Sequence, residues 1–222
     1  MTPAQFGSAF ATGAASASLQ QKLRKMSRHP EDPRVFSQAK LLLAIGMPTS
    51  ILGTFIMYFP ISEYMRGETD DIFSIIVPAS FISMAYVFLA HGLFRRFGVD
   101  RDKIWTRFGK VFYREVRFDQ LDRLSVGVHR YKLYSRGTLV NLDYNRFDYS
   151  LAYIRLLEEL QYRRFQLRNI EIDDPAWEDE AQGFRNALST RLYRNHRAFY
   201  DANPAELDRL KTLAQPPASY VN

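Results

Sequence analysis

The chain of 222 residues contains no cysteine and only four histidines, which lie in four separate segments. Without cysteine, disulfides, thiolate metal sites and cysteine nucleophiles are excluded. The sequence also lacks a P-loop, a G-x-S-x-G motif, an H-E-x-x-H motif and a dinucleotide fingerprint. We therefore expect a protein that is not an enzyme, with no catalytic residues, no cofactor and no metal site.

Charge is missing from two long stretches. Residues 41–62 carry no charged side chain, and in residues 72–94 His91 is the only ionisable group. A helix of about 20 residues crosses roughly 30 Å of hydrocarbon. Two helices buried in a soluble core would instead show a polar face, which neither stretch has. The pattern predicts two transmembrane helices.

The distribution of Lys and Arg predicts how this hairpin is oriented. Residues 1–40 hold six basic and two acidic side chains, whereas residues 63–71 hold four acidic side chains and one basic side chain. Lys and Arg favour the side from which a protein is inserted. We expect a multi-pass protein of the bacterial inner membrane with both termini in the cytoplasm.

The first 30 residues carry no acidic side chain and are rich in Ala, Ser and Gly. This composition favours a mostly disordered segment. It also suits an organellar targeting segment, which would place the protein in the mitochondrial inner membrane. Both alternatives remain open at the level of the sequence.

Small residues on both apolar stretches allow close contact between helices. They could pack the hairpin on itself or against another membrane protein. His91 lies one turn from the cytoplasmic end, which favours an interfacial side chain over a proton relay or a metal ligand. The small residues are Gly46, Thr49, Ser50, Gly53, Thr54, Ala79, Ser80, Ser83 and Ala85.

The segment after the second stretch reads as strands and then as one helix. Alternating apolar and polar residues, separated by turn signals, predict six or seven antiparallel strands between residues 94 and 142. From Asp148, a fitting N-cap, Leu151 to Phe165 carry apolar side chains at helical spacing. The pattern predicts a curved antiparallel sheet closed by one amphipathic helix.

Three sequence segments carry a resemblance to a known family. They are HGLFRRFGVDRDKIWTRFGK at residues 91–110, YREVRFDQLDRLSVG at 113–127 and LDYNRFDYSLAYIRLLEEL at 142–160. Over residues 36–168 the chain resembles bacterial membrane proteins in which a two-helix hairpin precedes a bacterial PH-like domain. The resemblance implies a PH-like antiparallel β-barrel or sheet closed by one C-terminal helix. It supplies no catalytic residues.

Basic side chains near the second apolar stretch are candidates for contact with membrane lipids. Residues 95–170 hold 17 basic and nine acidic side chains. Basic residues beside a membrane attract anionic headgroups, whereas nucleic acid is a poor fit for a domain held at a membrane. The candidates for anionic lipid contact are Arg95, Arg96, Arg101, Lys103, Arg107 and Lys110.

The tail that follows is acidic in composition and helical in pattern. An apolar stripe recurs every three or four residues after Pro175. An isolated helix pair would not be stable, so this stripe either folds back on the sheet domain or docks on a partner subunit. The residues predicted for partner docking are Trp177, Phe184, Leu188 and Leu192.

These observations favour a scaffold or accessory subunit of a membrane assembly, with membrane-protein partner subunits. The alternatives are a membrane regulator that binds anionic lipid and a small transporter or membrane enzyme that uses His91. The predicted segments are a disordered cytoplasmic segment (1–38), transmembrane helix 1 (39–62), an external loop (63–71), transmembrane helix 2 (72–94), a PH-like domain (95–168) and an amphipathic helical tail (169–222).

Overall fold

A computed structural model describes residues 26–68 and 72–220. The predicted disorder or targeting role of the N-terminal segment falls mainly on residues 1–25, which lie outside the described residues. Two of the predicted loop carboxylates, Asp70 and Asp71, lie outside them as well.

The chain divides into two compact units. The hairpin unit comprises Val35–Phe97 and Thr106–Tyr113. The mixed unit comprises Met1–Arg34, Gly98–Trp105 and Arg114–Asn222, of which residues 1–25, 221 and 222 are not described.

The hairpin unit is built on two long apolar helices. Helix α1 spans Ala39–Met65 and helix α2 spans Phe73–Phe94, with mean hydropathies of 1.7 and 2.0. Both are long and apolar enough to cross a membrane, as the sequence predicts. Most of their large apolar side chains point away from the protein, which is how a helix in hydrocarbon differs from a helix in a soluble core.

Small residues bring the two helices together. A Cβ atom added to Gly46 would lie 3.0 Å from the side chain of Leu89, and one added to Gly53 would lie 2.7 Å from Ile82. Residue numbers rise along one helix as they fall along the other, so the helices are antiparallel. Ala85 on α2 is almost fully buried. The hairpin therefore packs on itself, which is one of the two arrangements that the small residues allow.

In the part of the chain that the structure describes, eight short strands form two separate sheets. The first sheet has the order β1-β2-β3-β4, and the second has the order β7-β6-β5-β8. Strand β5 is antiparallel to β6 and parallel to β8. The strands are β1 (Arg34–Ser37), β2 (Arg95–Val99), β3 (Lys103–Phe108), β4 (Phe112–Arg117), β5 (Arg123–Val126), β6 (Arg130–Ser135), β7 (Thr138–Asp143) and β8 (Gln166–Leu167).

This topology corrects the predicted single sheet. Among the described residues the strands close no barrel, and β8 adds a parallel pairing. The chain leaves the first sheet through a 3-10 turn at Phe118–Gln120, where Phe118 is fully buried, and Leu121 behind it is buried too. The turn that holds these two buried side chains lies between β4 and β5, which belong to different sheets. Alternation of apolar and polar residues does not reveal such a break. It shows which face of a sheet a side chain occupies, and it does not show which strand lies next to it.

Among the described residues of the mixed unit, four helices accompany the strands: α3 (Ser150–Tyr162), α4 (Trp177–Asn195), α5 (Arg197–Ala202) and α6 (Pro204–Leu213). Helix α3 supplies much of the core, with Leu156, Leu157 and Leu160 fully buried. Asp148, the predicted N-cap, lies one residue before the observed cap position. Its carboxylate nevertheless accepts a hydrogen bond from the backbone N–H of Ser150, at 3.3 Å.

Candidate functional site

The six basic residues predicted to contact lipid are divided between the two units. Their surroundings differ accordingly, because the mixed unit supplies carboxylates close to its basic residues, whereas the described carboxylates of the hairpin unit lie at the far end of its helices. The hairpin unit holds Arg95, Arg96, Arg107 and Lys110, and the mixed unit holds Arg101 and Lys103.

Both basic residues of the mixed unit face carboxylates of that unit. The ammonium of Lys103 donates to Glu115 Oε2 at 2.8 Å. The guanidinium of Arg101 lies 3.9 Å from Glu31 Oε2 while its side chain stays 74 % exposed. These pairs reduce the charge that either residue offers to an anionic surface.

Two arginines lie at the end of helix α2. Arg96 Nη1 donates to the carbonyl oxygens of Gly92 and Arg95, at 3.2 and 2.8 Å. The guanidinium of Arg95 lies 5.2 Å from the ring centroid of Phe97. Cations near a helix C-terminus interact favourably with its unpaired carbonyls and dipole. Arg96 thus caps the helix and brings positive charge to its end.

Exposed cations surround the same end of the hairpin. Arg107 and Lys110 are exposed, and so is Lys40 at the start of α1. Sequence analysis left Lys40 out of the candidates, although its place directly before the first apolar stretch is a usable signal. The described carboxylates of the hairpin unit, Glu63 and Glu68, lie at the opposite end of the helices.

A tight turn joins β3 to β4 beside the end of α2. Gly109 has a φ of +54°, a left-handed value that glycine adopts without strain. Its backbone N–H donates to Phe94 O at 3.0 Å, and Val111 N donates to Phe108 O at 3.2 Å across the turn. The ring of Phe108 also contacts His91, with centroids 5.3 Å apart. The turn is therefore fixed against the last two turns of the helix.

The four apolar residues predicted to dock on a partner are covered by the chain itself. Trp177, Leu188 and Leu192 are fully buried, and Phe184 is 3 % exposed. Trp177 Nε1 donates to the carbonyl oxygen of Phe165 at 2.8 Å. The tail helices thus adopt the fold-back arrangement that the sequence left open, and this stripe is not available to a second protein.

A buried arginine that sequence analysis did not select holds the end of the described chain. Arg185 is fully buried and donates to Glu178 Oε1 at 2.7 Å, to the hydroxyl of Tyr220 at 2.7 Å and to the carbonyl of Leu160 at 3.2 Å. Tyr220 in turn donates to Glu178. Because burial raises the pKa of Glu178 less than these hydrogen bonds lower it, the net shift is downward.

The carboxylate of Asp148 is the most heavily bonded acid in the mixed unit. One oxygen accepts from Ser27 N at 2.8 Å, Ser27 Oγ at 3.0 Å and Arg34 Nη1 at 2.9 Å. The other accepts from Ser150 Oγ at 2.5 Å and lies 3.4 Å from His196 Nε2. Burial alone would raise the pKa of Asp148, but hydrogen bonds from His196, Ser150 and Ser27 lower it well below its ordinary value.

Serine, histidine and aspartate at hydrogen-bonding distance invite comparison with a catalytic triad. In a triad the histidine accepts the serine proton, and the aspartate orients the far side of the imidazole. Here the hydroxyl of Ser150 donates to Asp148, and its oxygen lies 2.7 Å from His196 Nε2, the same nitrogen that faces the carboxylate. Because one nitrogen faces both groups, Asp148 does not orient the far side of the imidazole as a triad aspartate does. Ser150 is also 1 % exposed, which keeps substrate away.

One polar cleft of about 310 Å³ opens on the mixed unit. Three arginines line it, and three carboxylates line it with them. Arg209 pairs with Glu31 and with Glu158 at 2.6 Å, and Arg155 pairs with Glu158 as well. Because opposite charges are matched within the lining, the cleft presents no excess charge to an ion. The charged residues of the lining are Glu31, Arg101, Asp102, Arg155, Glu158 and Arg209.

Within residues 26–68 and 72–220, no group of three or more His, Asp or Glu side chains is arranged to hold a metal ion. Comparison of the chain with family models, with curated proteins and with solved structures finds no match.

Proposed function

We propose that this chain is a non-catalytic integral membrane protein that serves as a scaffold or accessory subunit of a membrane assembly. The observation that carries the proposal is the contrast in surfaces. Helices α1 and α2 present apolar side chains outward, whereas the mixed unit buries most of its large apolar residues and pairs most of its buried charges. The serine–histidine–aspartate cluster at Ser150 departs from a catalytic triad, because its serine is buried and one histidine nitrogen faces both partners.

We propose further that residues 95–168 are a divergent PH-like domain. The order of β2 to β7 followed by helix α3 supports this, because strands followed by one closing helix is the layout of that family. Two features depart from it: the strands lie in two sheets, and β8 pairs in parallel with β5. The fold alone does not assign a ligand.

The protein belongs, in this proposal, to a bacterial inner membrane with both termini in the cytoplasm. The cations at one end of the hairpin unit and the carboxylates at the other support this orientation. The native absence of cysteine makes a direct test simple. A cysteine at Glu68 should react with a membrane-impermeant maleimide in intact cells, and one at Lys211, 63 % exposed, should react only after lysis. The reverse pattern would invert the orientation.

The scaffold role is tested by native mass measurement of the tagged chain after extraction in mild detergent. We expect the chain to run as part of a larger complex with partner proteins at fixed stoichiometry. Because the apolar stripe of the tail is buried, we expect substitutions of surface residues to release the partners. A substitution at Trp177 should not release them. A lone monomer or dimer that carries only lipid would contradict the scaffold role.

A membrane regulator that binds anionic lipid is the second candidate. It is favoured by the cations around the end of the hairpin: Lys40, Arg95, Arg96, Arg107 and Lys110. Lipid retained on the full chain in native mass spectra should be predominantly anionic and should fall in high salt. The pair Arg107→Glu and Lys110→Glu should reduce it, whereas Lys211→Glu in α6 should not.

A further inference from the structure

We infer that the β3–β4 turn, residues Phe108–Val111, inserts among the headgroups of an anionic membrane surface and forms a third membrane contact besides α1 and α2. This inference rests on the proposal that the two helices cross a membrane. It does not depend on the scaffold role.

The position of the turn along the axis of helix α2, and so its depth in the membrane, is set by the contacts of the turn within the hairpin unit. Gly109 donates its N–H to Phe94 O, and the rings of Phe94 and Phe108 lie 6.0 Å apart. Phe108 also reaches His91, one turn back along α2. The turn is thus held level with the last turn of a membrane-spanning helix. That level is the headgroup region when residues 72–94 fill the hydrocarbon.

The side chains of the turn suit this level. Val111 is 91 % exposed, the highest exposure among the large apolar residues of the described chain, and Tyr113 beside it is 53 % exposed. At the end of α2, Leu93 and Phe94 are about half exposed, which continues the apolar surface of the helix toward the turn. A projecting valine next to an aromatic residue costs less at a membrane interface than in water.

Charge selects the anionic surface as the occupant. Lys110 lies at the centre of the turn, and Arg107 precedes it on β3; both are exposed. Arg95, Arg96 and Lys40 add three more cations at this end, and the described carboxylates of the hairpin unit, Glu63 and Glu68, lie at the opposite end of its helices. Apolar and basic side chains together are typical of interfacial segments, which sit about 5–10 Å into the boundary between headgroups and acyl chains.

The test uses single cysteines in the full chain, labelled with an environment-sensitive fluorophore and reconstituted in vesicles of phosphatidylcholine with phosphatidylglycerol. Val111→Cys should show a blue shift and be quenched more by lipids with a shallow spin label than by lipids with a deep one. Val128→Cys is the matched control, because Val128 is 86 % exposed in a hairpin turn of the mixed unit. Equal quenching at both positions would overturn the inference.

Ile51→Cys separates the inference from its premise, since Ile51 lies in mid-helix α1 and is 69 % exposed. If its label is not quenched by the deep spin label, the membrane span itself fails. If it is quenched and the Val111 label is not, only the membrane contact of the turn fails.

Charge dependence is measured on the same Val111→Cys protein. Replacing Lys110 by Glu should weaken the association of the turn with the anionic surface by roughly fivefold or more, as loss of about one Lys contact predicts. Lys110→Gln should give a smaller loss, and vesicles of phosphatidylcholine alone should remove the difference. Equal quenching in all of these variants and in both kinds of vesicle would contradict the choice of an anionic surface.

Discussion

Most large apolar side chains are exposed in the helices of the hairpin unit and buried in the mixed unit. In the hairpin unit, Phe55 and Phe81 are 65 % and 62 % exposed. In the mixed unit, Leu156 and Leu188 are fully buried. Burial from water drives the second arrangement, whereas the first suits lipid tails, which would solvate apolar side chains as well as protein does. The same chain therefore carries one unit whose surface suits hydrocarbon and one whose surface suits water.

Polar groups show the same contrast. In the hairpin unit, Ser83 Oγ donates to the carbonyl of Ala79 on its own helix, which costs no tertiary partner. In the mixed unit, Asp148 joins residues as distant in sequence as Ser27 and His196. The helices of the hairpin unit combine such local bonds with the Thr54–Tyr86 contact between them, whereas the bonds of Asp148 join distant segments of the mixed unit. Four predictions sharpen this difference.

The largest effect is expected from Asp148→Asn. The change removes the charge that faces Arg34, whose side chain is 18 % exposed, and leaves that cation with a weaker acceptor. Breaking a buried ion pair costs about 3–5 kcal/mol. Both tryptophans, Trp105 and Trp177, belong to the mixed unit, so tryptophan fluorescence during urea unfolding reports on that unit.

Asp119→Asn is the matched control for this prediction. Asp119 also pairs with an arginine, Arg117, but its side chain is 53 % exposed. Exposed pairs contribute little to stability, so the unfolding midpoint should hardly move. Equal losses for both variants would show that burial of Asp148 is not what matters.

Acid should destabilise the mixed unit through the same carboxylate. The pKa of Asp148 is lower in the folded chain than its unfolded value of about 3.9, so its stabilisation is present above that pH and is lost as pH falls below it. Glu178 acts in the same direction. Between pH 5 and pH 3, wild type should therefore lose more stability than Asp148→Asn, measured by urea unfolding at each pH. Parallel losses would contradict the assignment to Asp148.

Replacing a helix glycine by a larger residue should destabilise the hairpin unit and stabilise the mixed unit. Gly53→Val places a branched side chain where a Cβ alone would lie 2.7 Å from Ile82, at a cost of about 1–3 kcal/mol. A short cross-linker between cysteines at Thr54 and Tyr86, whose hydroxyls are 3.0 Å apart, should then react more slowly.

Gly183 is the counterpart of Gly53 in the mixed unit. It is exposed in α4 with open space around it, so Gly183→Ala should stabilise that unit by up to about 1 kcal/mol. Urea unfolding checks this change. Destabilisation by Gly183→Ala, or an unchanged cross-linking rate in Gly53→Val, would contradict the packing described for that unit.

A smaller effect is expected from Tyr220→Phe, which removes the hydroxyl shared by Arg185 and Glu178. Arg185 keeps its bonds to Glu178 and Leu160, so the loss should be about 1–2 kcal/mol. Urea unfolding measured with the tryptophans reports it, since Trp177 contacts Tyr220 edge to face. Tyr162→Phe, on an exposed tyrosine of α3, should leave the midpoint unchanged.

Local patterns in the sequence account for the elements of this protein. Two stretches without charge predict α1 and α2, because spanning hydrocarbon requires about 20 apolar residues whatever surrounds them. Alternation predicts β2 to β7, and helical spacing predicts α3 and the buried stripe of α4. Each of these signals lies within one element, so no tertiary information is needed to find it.

The tertiary structure determined how those elements pair and pack against one another. It divided the strands into two sheets, covered the stripe that includes Trp177, and placed Asp148 between Ser27 and His196. It also fixed the turn at Gly109 against Phe94. Such pairings join residues far apart in the chain and depend on which surfaces close together, a property that no local period encodes.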